Sequence, residues 1–334
     1  MAAKAEKSLV IGGAGFVGRH IVAALLQAGQ SVRVFDRVPI QNPQVEDWVG
    51  DLRDPAAVAE ACRGVDTVYQ SASLVEVRPG HAEQLYAVNV HGNRHVIAGC
   101  VAAGVQRLIY TSSIDVVFSG RPIRNGDEDL PYPTRYLDTY GRTKMLAERE
   151  VLHANGRGGL ATCALRLAGV YGPGDNHRFP AVLDLARANR GIRLGDGRSR
   201  FNHVYVENVV YAHLLAAERL RLGSPIAGAS YFIIDHPPEN FFNFFDPFLH
   251  DLGLPLPTRS IPYRTAYLLA TVFELFSLTA GRWLAAAPPL TRYTVASTCL
   301  DLFFSGERAR RDLGYIPPIS AEEARRRTVA WLSR

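Results

Sequence analysis

Lysine is almost missing from this 334-residue chain: Lys4, Lys7 and Lys144 are the only three, so nearly all of the 37 basic side chains are arginines. Cysteine is also sparse. Cys62, Cys100, Cys163 and Cys299 stand far apart with no C-x-x-C pair, which argues against a zinc ribbon or a disulfide framework and predicts small buried thiols. No apolar run reaches the roughly 20 residues that a membrane-spanning helix needs. No internal repeat or low-complexity linker divides the chain, and no secretory-signal pattern stands before the apolar stretch at Ser8, which predicts a cytoplasmic protein. The net charge of +5 is scattered, with modest concentrations at Arg308–Arg311 and Arg325–Arg327. Without a basic face interleaved with aromatics, a nucleic-acid partner is not expected, and the mild basicity suits an anionic membrane surface or solvated helix faces equally. His177, His203 and His213 lack metal-ligand spacing, so no metal is predicted.

What the chain does have begins at Ser8-Leu9-Val10-Ile11, an apolar strand pattern running into Gly12-Gly13-Ala14-Gly15-Phe16-Val17-Gly18 and then a helical pattern. Each glycine of the G-x-x-G-x-x-G spacing has a physical task. Gly12 allows a sharp turn, Gly15 lets backbone N–H groups approach a pyrophosphate, and Gly18 lets the helix pack close to the strand. The helix N-terminus, with Phe16 and Val17 in its first turn, offers unpaired donors to the negative charge. A second strand ends at Asp36, eighteen residues past Gly18, where a carboxylate bonds adenosine ribose hydroxyls. This pattern predicts NAD; Arg37, placed to hold an extra phosphate, leaves NADP open. Asp51-Leu52, at the end of a third strand, is expected to bond and pack the adenine ring, while Asp54 caps the next helix with Pro55 at its first position. Ser71, Ala72 and Ser73, after a fourth strand, leave room for ribose and phosphates.

Strands are predicted near 8–11, 32–36, 45–50, 66–70, 107–111 and 161–166, and helices near 16–28, 55–62, 81–103 and 138–155. The alternation predicts an α/β fold, a doubly wound parallel sheet of Rossmann type. The cofactor domain is expected to cover 1–170 with returning segments near 203–235. A smaller C-terminal substrate lobe is expected over 171–202 and 236–334.

Tyr140 and Lys144 lie four residues apart at the start of a helix and therefore on one face. With 14 tyrosines and so few lysines, only about 0.1 such Tyr-x-x-x-Lys pair is expected by chance, so its position after a dinucleotide turn is informative. The ammonium is expected to lower the phenol's pKa and so fit Tyr140 for general acid–base work. Thr111-Ser112-Ser113 ends the fifth strand; Ser113, with Ser112 as runner-up, is the candidate to orient the reacting oxygen. Asn89 is expected either to bend the preceding helix and hold a relay water or to cap a local kink.

Together these motifs resemble the extended short-chain dehydrogenase/reductases. Within them, Tyr110-Thr111-Ser112-Ser113-Ile114-Asp115-Val116, Cys163-Ala164-Leu165-Arg166 and Val204-Tyr205-Val206-Glu207-Asn208-Val209-Val210-Tyr211-Ala212-His213 are similar to the 3β-hydroxysteroid dehydrogenase branch. Ile261-Pro262-Tyr263, Ser305-Gly306-Glu307-Arg308-Ala309 and Leu313-Gly314-Tyr315-Ile316-Pro317 bring the pattern nearer to the decarboxylating sterol-4α-carboxylate 3-dehydrogenases. The resemblance implies a Ser113/Tyr140/Lys144 catalytic set, with Thr111, Asn89, Leu167 and Val170 also at the cofactor. Leu167 departs from the proline that family usually places there. It also implies NAD-dependent oxidation of a sterol-like 3β-hydroxyl, with loss of CO2 from a 4-carboxylate, and a homodimer joined through 81–103 and 138–155.

Rival readings are a nucleotide-sugar epimerase or dehydratase, an NADPH-dependent reductase of another bulky 3-oxo compound, and a non-catalytic NAD- or lipid-binding module. The first is disfavoured by Phe201-Asn202 standing where such enzymes resemble one another in an Arg-Asp pair; Arg200 is one residue early and on a strand would face the other way. Phe241, Phe242, Phe244, Phe245 and Phe248 read as lobe core or as a substrate wall. The apolar segment 265–280, flanked by Arg264 and Arg282 and interrupted by Glu274, reads as a core helix or as a helix resting on a membrane through 265–283, with Trp283 at the headgroups.

Overall fold

The computed structural model describes residues 6–176, 178–188, 190–279 and 290–334. The strands, in chain order, are β1 (Lys7–Ile11), β2 (Ser31–Asp36), β3 (Val45–Val49), β4 (Thr67–Gln70), β5 (Arg107–Ser113), β6 (Ile123–Gly126), β7 (Ala161–Leu167), β8 (Gly169–Tyr171), β9 (Ile192–Leu194), β10 (His203–Tyr205), β11 (Ser230–Ile233), β12 (Arg259–Ile261) and β13 (Leu302–Phe304). Seven of them form one all-parallel sheet in the order β11-β7-β5-β4-β1-β2-β3. Strands buried on both faces read as near-continuous apolar runs, as Leu9, Val10 and Ile11 do, and the flanking helices supply the cover.

The helices are α1 (Phe16–Gln27), α2 (Pro55–Ala61), α3 (Ala82–Leu85), α4 (Asn93–Ala103), α5 (Thr139–His153), α6 (Phe179–Arg187), α7 (Val206–Arg219), α8 (Asp246–Asp251), α9 (Tyr263–Thr279), α10 (Arg292–Cys299) and α11 (Ala321–Leu332). Asp54 caps α2 through Ala56 N and Ala57 N, with Pro55 at its start. The helix expected over 81–103 is continuous but not regular. A π-helical stretch, Tyr86–Gly92, links α3 to α4 and contains Asn89; π-bulges of this kind frequently sit at functional sites.

Because the chain winds from β1 to β2 and β3 on one side and through β4 to β11 on the other, a crevice opens at the carboxyl ends of β1 and β4. The C-terminal residues close over it. Phe244, Phe245 and Phe248 pack with Phe179 and Tyr171 in a separate apolar cluster, so these members of the phenylalanine group are lobe core. β13 returns to pair with β6, tying the lobe to the sheet domain.

Among the described residues no helix is long and apolar enough to cross a membrane. α9 is two-faced. Ala266 and Ala270 are buried, and Glu274, 8% exposed, accepts from Arg292 N and Nε at the start of α10. Leu268 and Val272 on the other side are 65% and 53% exposed. The charge inside the apolar run is therefore turned inward onto α10, and neither a wholly buried nor a wholly exposed helix describes it. Arg282 and Trp283 lie outside the described residues, as does His177. Cys62, Cys100 and Cys163 are buried and Cys299 is partly so, all as thiols.

Candidate active site

One cleft of about 940 Å³ runs across the crevice, near the upper end of the roughly 300–1,000 Å³ common for ligand pockets. Gly12, Gly15, Phe16, Val17, Gly18, Asp36, Arg37, Asp51, Leu52, Ser71, Ala72 and Ser73 line one end. Ser113, Tyr140 and Lys144 lie further along with Thr111, Leu167 and Val170.

The nucleotide end is shaped by backbone. Gly12 has φ +82°, and a Cβ there would lie 2.6 Å from Ala72 N. A Cβ on Gly18 would lie 2.0 Å from Gly12 O, so α1 approaches the turn only because that position is bare. Gly15 begins α1 with no side-chain cap and no acidic residue in the first turn, which leaves the helix N-terminus open to an anion. Asp36 accepts from Ala14 N at 3.0 Å and from Arg37 N at 2.7 Å, fixing its carboxylate beside the glycine turn. Asp51 is held by Arg53 Nε at 2.9 Å and Nη2 at 2.7 Å, and this pairing keeps its carboxyl at about 2. Ser71 Oγ donates to Ile11 O at 2.9 Å, joining the ends of β1 and β4. A bare cradle, an uncapped helix start and a carboxylate at the end of β2 fit a dinucleotide.

Adjacent positions on β5 point to opposite sides of the sheet, and this separates the two candidate serines. Ser112 turns into the interior and donates to Glu148 Oε2 at 2.5 Å, within a buried group where Arg166 and Tyr132 also bond Glu148. Ser113 faces the cleft and donates to Asp115 Oδ2 at 2.7 Å. Thr111 Oγ1 is 2.9 Å from His213 Nε2, and its carbonyl accepts from Lys144 Nζ at 2.6 Å. The ammonium also lies 4.3 Å from the centre of the Tyr110 ring.

Asn89 is not part of the cleft wall. Its Oδ1 accepts from Leu74 N at 2.7 Å, while its Nδ2 donates to Leu74 O at 2.9 Å and Thr143 Oγ1 at 3.1 Å. The expected bend is present, but the side chain is committed to holding the segment after β4 against α5. It supports the site from behind and does not line the cleft, where the cofactor contact was expected.

The electrostatics also depart from expectation. Burial pushes the Tyr140 phenol above its ordinary value; the Asp115 and Asp138 carboxylates add to this, and the Ser113 and Ser73 hydroxyls oppose it. Lys144 is itself pushed down to about 7 by burial, against the pull of Glu148 and Asp115. Two charges withdrawn from water each favour the neutral form, and that desolvation outweighs the mutual help expected of the pair. Asp138, which caps α5 through Gly141 N at 2.8 Å, is raised to about 7 by burial and by Asp115.

Sequence reasoning assigned no role to Asp115, Tyr293 or Arg178. Tyr293, on α10, donates to Asp115 Oδ1 at 2.6 Å across 178 positions of chain. Asp115 thus receives the Ser113 and Tyr293 hydroxyls together, and burial raises its pKa. Asp115 stands in a quoted motif and could have been singled out; nothing local marks Tyr293. Phe241, of the phenylalanine group, and Phe201 line the cleft, while Phe244, Phe245 and Phe248 pack in the apolar cluster beside it. Arg200 stacks 4.2 Å over Phe303 and takes no place in the cleft wall. His203 and His213 are hydrogen-bonded, and no group of metal-binding side chains occurs among the described residues.

A model of the 3-beta hydroxysteroid dehydrogenase/isomerase family matches residues 9–263. The chain is 39% identical over 329 residues to a decarboxylating sterol-4-alpha-carboxylate 3-dehydrogenase of Mus musculus, covering 98% of this chain and 91% of the relative. It is 36% identical over 326 residues to a 3-beta-hydroxysteroid dehydrogenase of Mycolicibacterium neoaurum, covering 95% and 88%. Among solved structures, MoeE5 in complex with UDP-glucuronic acid and NAD is similar at a TM-score of 0.76 and 25% identity, covering 98% of this chain and 99% of that one.

Proposed function

This chain belongs to the 3-beta hydroxysteroid dehydrogenase/isomerase family of short-chain dehydrogenase/reductases, and from that premise we propose that it oxidises the 3β-hydroxyl of a 4-carboxylated sterol with NAD, releasing CO2. The observation that carries the reading is the meeting of Ser113, Tyr140 and Lys144 in one cleft with a dinucleotide cradle. Oxidised NAD, held by the glycine turn, the start of α1 and Asp36, would supply the hydride acceptor and a positive charge.

Ser113 orients the substrate hydroxyl, and Tyr140, once ionised to the phenolate, takes its proton as the carbon gives up hydride; the positive charge of oxidised NAD would favour that ionisation against the burial that opposes it. Lys144 holds the ribose on the nicotinamide side. The product is a β-keto carboxylate. Its C–CO2 bond then breaks, the electron pair moves into the enolate, and the proton held by Tyr140 returns to the enolate oxygen. No other reagent is needed. Asp36, whose carboxylate is held beside the glycine turn by Ala14 N, supports NAD over NADP, because its negative charge would repel an extra phosphate.

The nucleotide-sugar reading draws on the fold likeness alone. Against it stand Phe201 in the cleft and Arg200 stacked on Phe303.

Incubation with NAD and a 4α-carboxy-3β-hydroxysterol is expected to yield NADH and CO2 in equal amounts. Tyr140→Phe is expected to lower kcat by about a hundred- to ten-thousand-fold while leaving NAD affinity intact. Failure to oxidise any 3β-hydroxysterol would remove the proposal.

A further inference from the structure

Among the described residues lining the substrate end, Arg178 is the one cation besides Lys144, and proton transfer makes no use of it. Its backbone N–H donates to Asp175 Oδ1 at 3.0 Å, which fixes the turn into α6. Its Nη1 donates to His203 Nδ1 at 3.2 Å. A guanidinium has only donors, so that ring nitrogen is the acceptor and the imidazole is neutral; burial pushes His203 well below its ordinary pKa, and the Arg178 charge adds to this. His203, the side-chain hydrogen-bond partner of Arg178, therefore brings no compensating charge, and the support for the cation comes first from the Asp175 carboxylate.

The rings of Phe201, Phe241 and Phe245 stand 5.5, 5.0 and 5.8 Å from the guanidinium carbon, walling it with apolar surface. Burial lowers Arg178 to about 10, which still leaves it charged at neutral pH. Asp175, Tyr293 and Asp115 all act on this charge. Arg178 lines the same cleft as Ser113, Tyr140 and Tyr293, and Asp115 there is bonded to both Ser113 and Tyr293, so the cation faces the space that the reacting oxygen would enter.

We propose that Arg178 recognises a carboxylate on the substrate, carried by the carbon next to the reacting hydroxyl. A planar fork of donors matches a carboxylate in a two-point bond, and the surrounding rings exclude the water that would weaken it. The inference rests on the 3β-hydroxysterol reading for the identity of that carbon. Arg178 is a specificity residue in this role: once CO2 has left, the product lacks the group that the guanidinium holds, so product binding is weaker than substrate binding.

The test uses equilibrium dialysis on the NADH-loaded protein, which cannot oxidise the ligand. The probes are a 4α-carboxy-3β-hydroxysterol and its methyl ester. The wild type is expected to bind the acid about 10- to 100-fold more tightly than the ester. Arg178→Met is expected to erase that gap by weakening the acid alone, and Arg178→Lys to keep part of it. Equal binding of acid and ester by the wild type overturns the proposal, whether or not Arg178→Met folds. So does an equal loss of both ligands in an Arg178→Met protein whose melting temperature is unchanged. Binding of UDP-glucose that depends on Arg178, with no acid–ester gap, would assign the guanidinium to a diphosphate instead. Failure of the dehydrogenase reading shows itself separately, as an acid–ester gap without NADH formation in the turnover assay.

Discussion

The two ends of the cleft are built in different ways. The nucleotide end comes from consecutive strand–loop units: the turn after β1, Asp36 at the end of β2, Asp51-Leu52 beyond β3 and Ser71–Ser73 beyond β4. Its key features are backbone features, a turn with positive φ and a helix start with unused donors. The substrate end gathers Asp115, Arg178, Phe201, Phe241 and Tyr293 from distant parts of the chain, and works through side chains. The contrast teaches that a surface made of backbone is fixed by a short run of residues, whereas one made of side chains exists only once distant segments of the chain have packed together.

If that contrast holds, damage at one end should spare the other. The largest effect is expected from Gly18→Val, whose Cβ has no space beside Gly12 O. Calorimetry should find NAD binding abolished; retention of wild-type affinity would show that the turn can yield. Next, Tyr293→Phe removes one of the two hydroxyls on Asp115. A loss of about tenfold in kcat is expected with the NAD dissociation constant unchanged, consistent with one hydrogen bond to a charged or partly charged group. A shift in NAD affinity instead would dissolve the distinction between the ends. Asp36→Ala is expected to weaken NAD by about tenfold and NADP by less, narrowing the preference in paired kinetic runs.

The smallest effect tests the carboxyl pair behind Tyr140. Asp138 is raised to about 7, far above an ordinary carboxyl near 4, so the folded state binds its proton more tightly than the unfolded chain does. Its contribution to stability is thus full below about pH 4 and is lost as pH rises through about 7. Asn keeps an oxygen for Gly141 N and cannot ionise. Melting curves of Asp138→Asn should coincide with wild type at pH 4 and lie a few degrees above it at pH 8. A constant gap across that range would mean that Asp138 titrates normally.

Ser112 and Ser113 show how far the sequence reached. Their adjacency made both candidates, and strand alternation meant that their hydroxyls would point to opposite sides of the sheet. The buried Arg166–Glu148 pair that claims Ser112 was not visible in any local pattern. Asn89 was legible as a bend, because a polar residue within a helix invites one, but its partner Leu74 lies in an irregular segment whose path no periodicity describes. The sign of the Tyr140 shift was lost for a related reason. Spacing reported that Lys144 is near, but it could not report how thoroughly both groups leave water or that two carboxyls face them.

By itself the sequence determined the alternating strands and helices, the glycine cradle and the pairing of Tyr140 with Lys144 on one helix face. These are properties of short-range geometry, set by residue size and by the 2.0 and 3.6 periods. Tertiary structure alone decided which serine hydroxyl is left at the cleft, how burial loads each ionisable group, and that Tyr293 and Arg178 line the cleft with Ser113, Tyr140 and Lys144, which are encoded far from them. Desolvation and long-range contact depend on everything that packs around a residue, and no local stretch of chain contains that information.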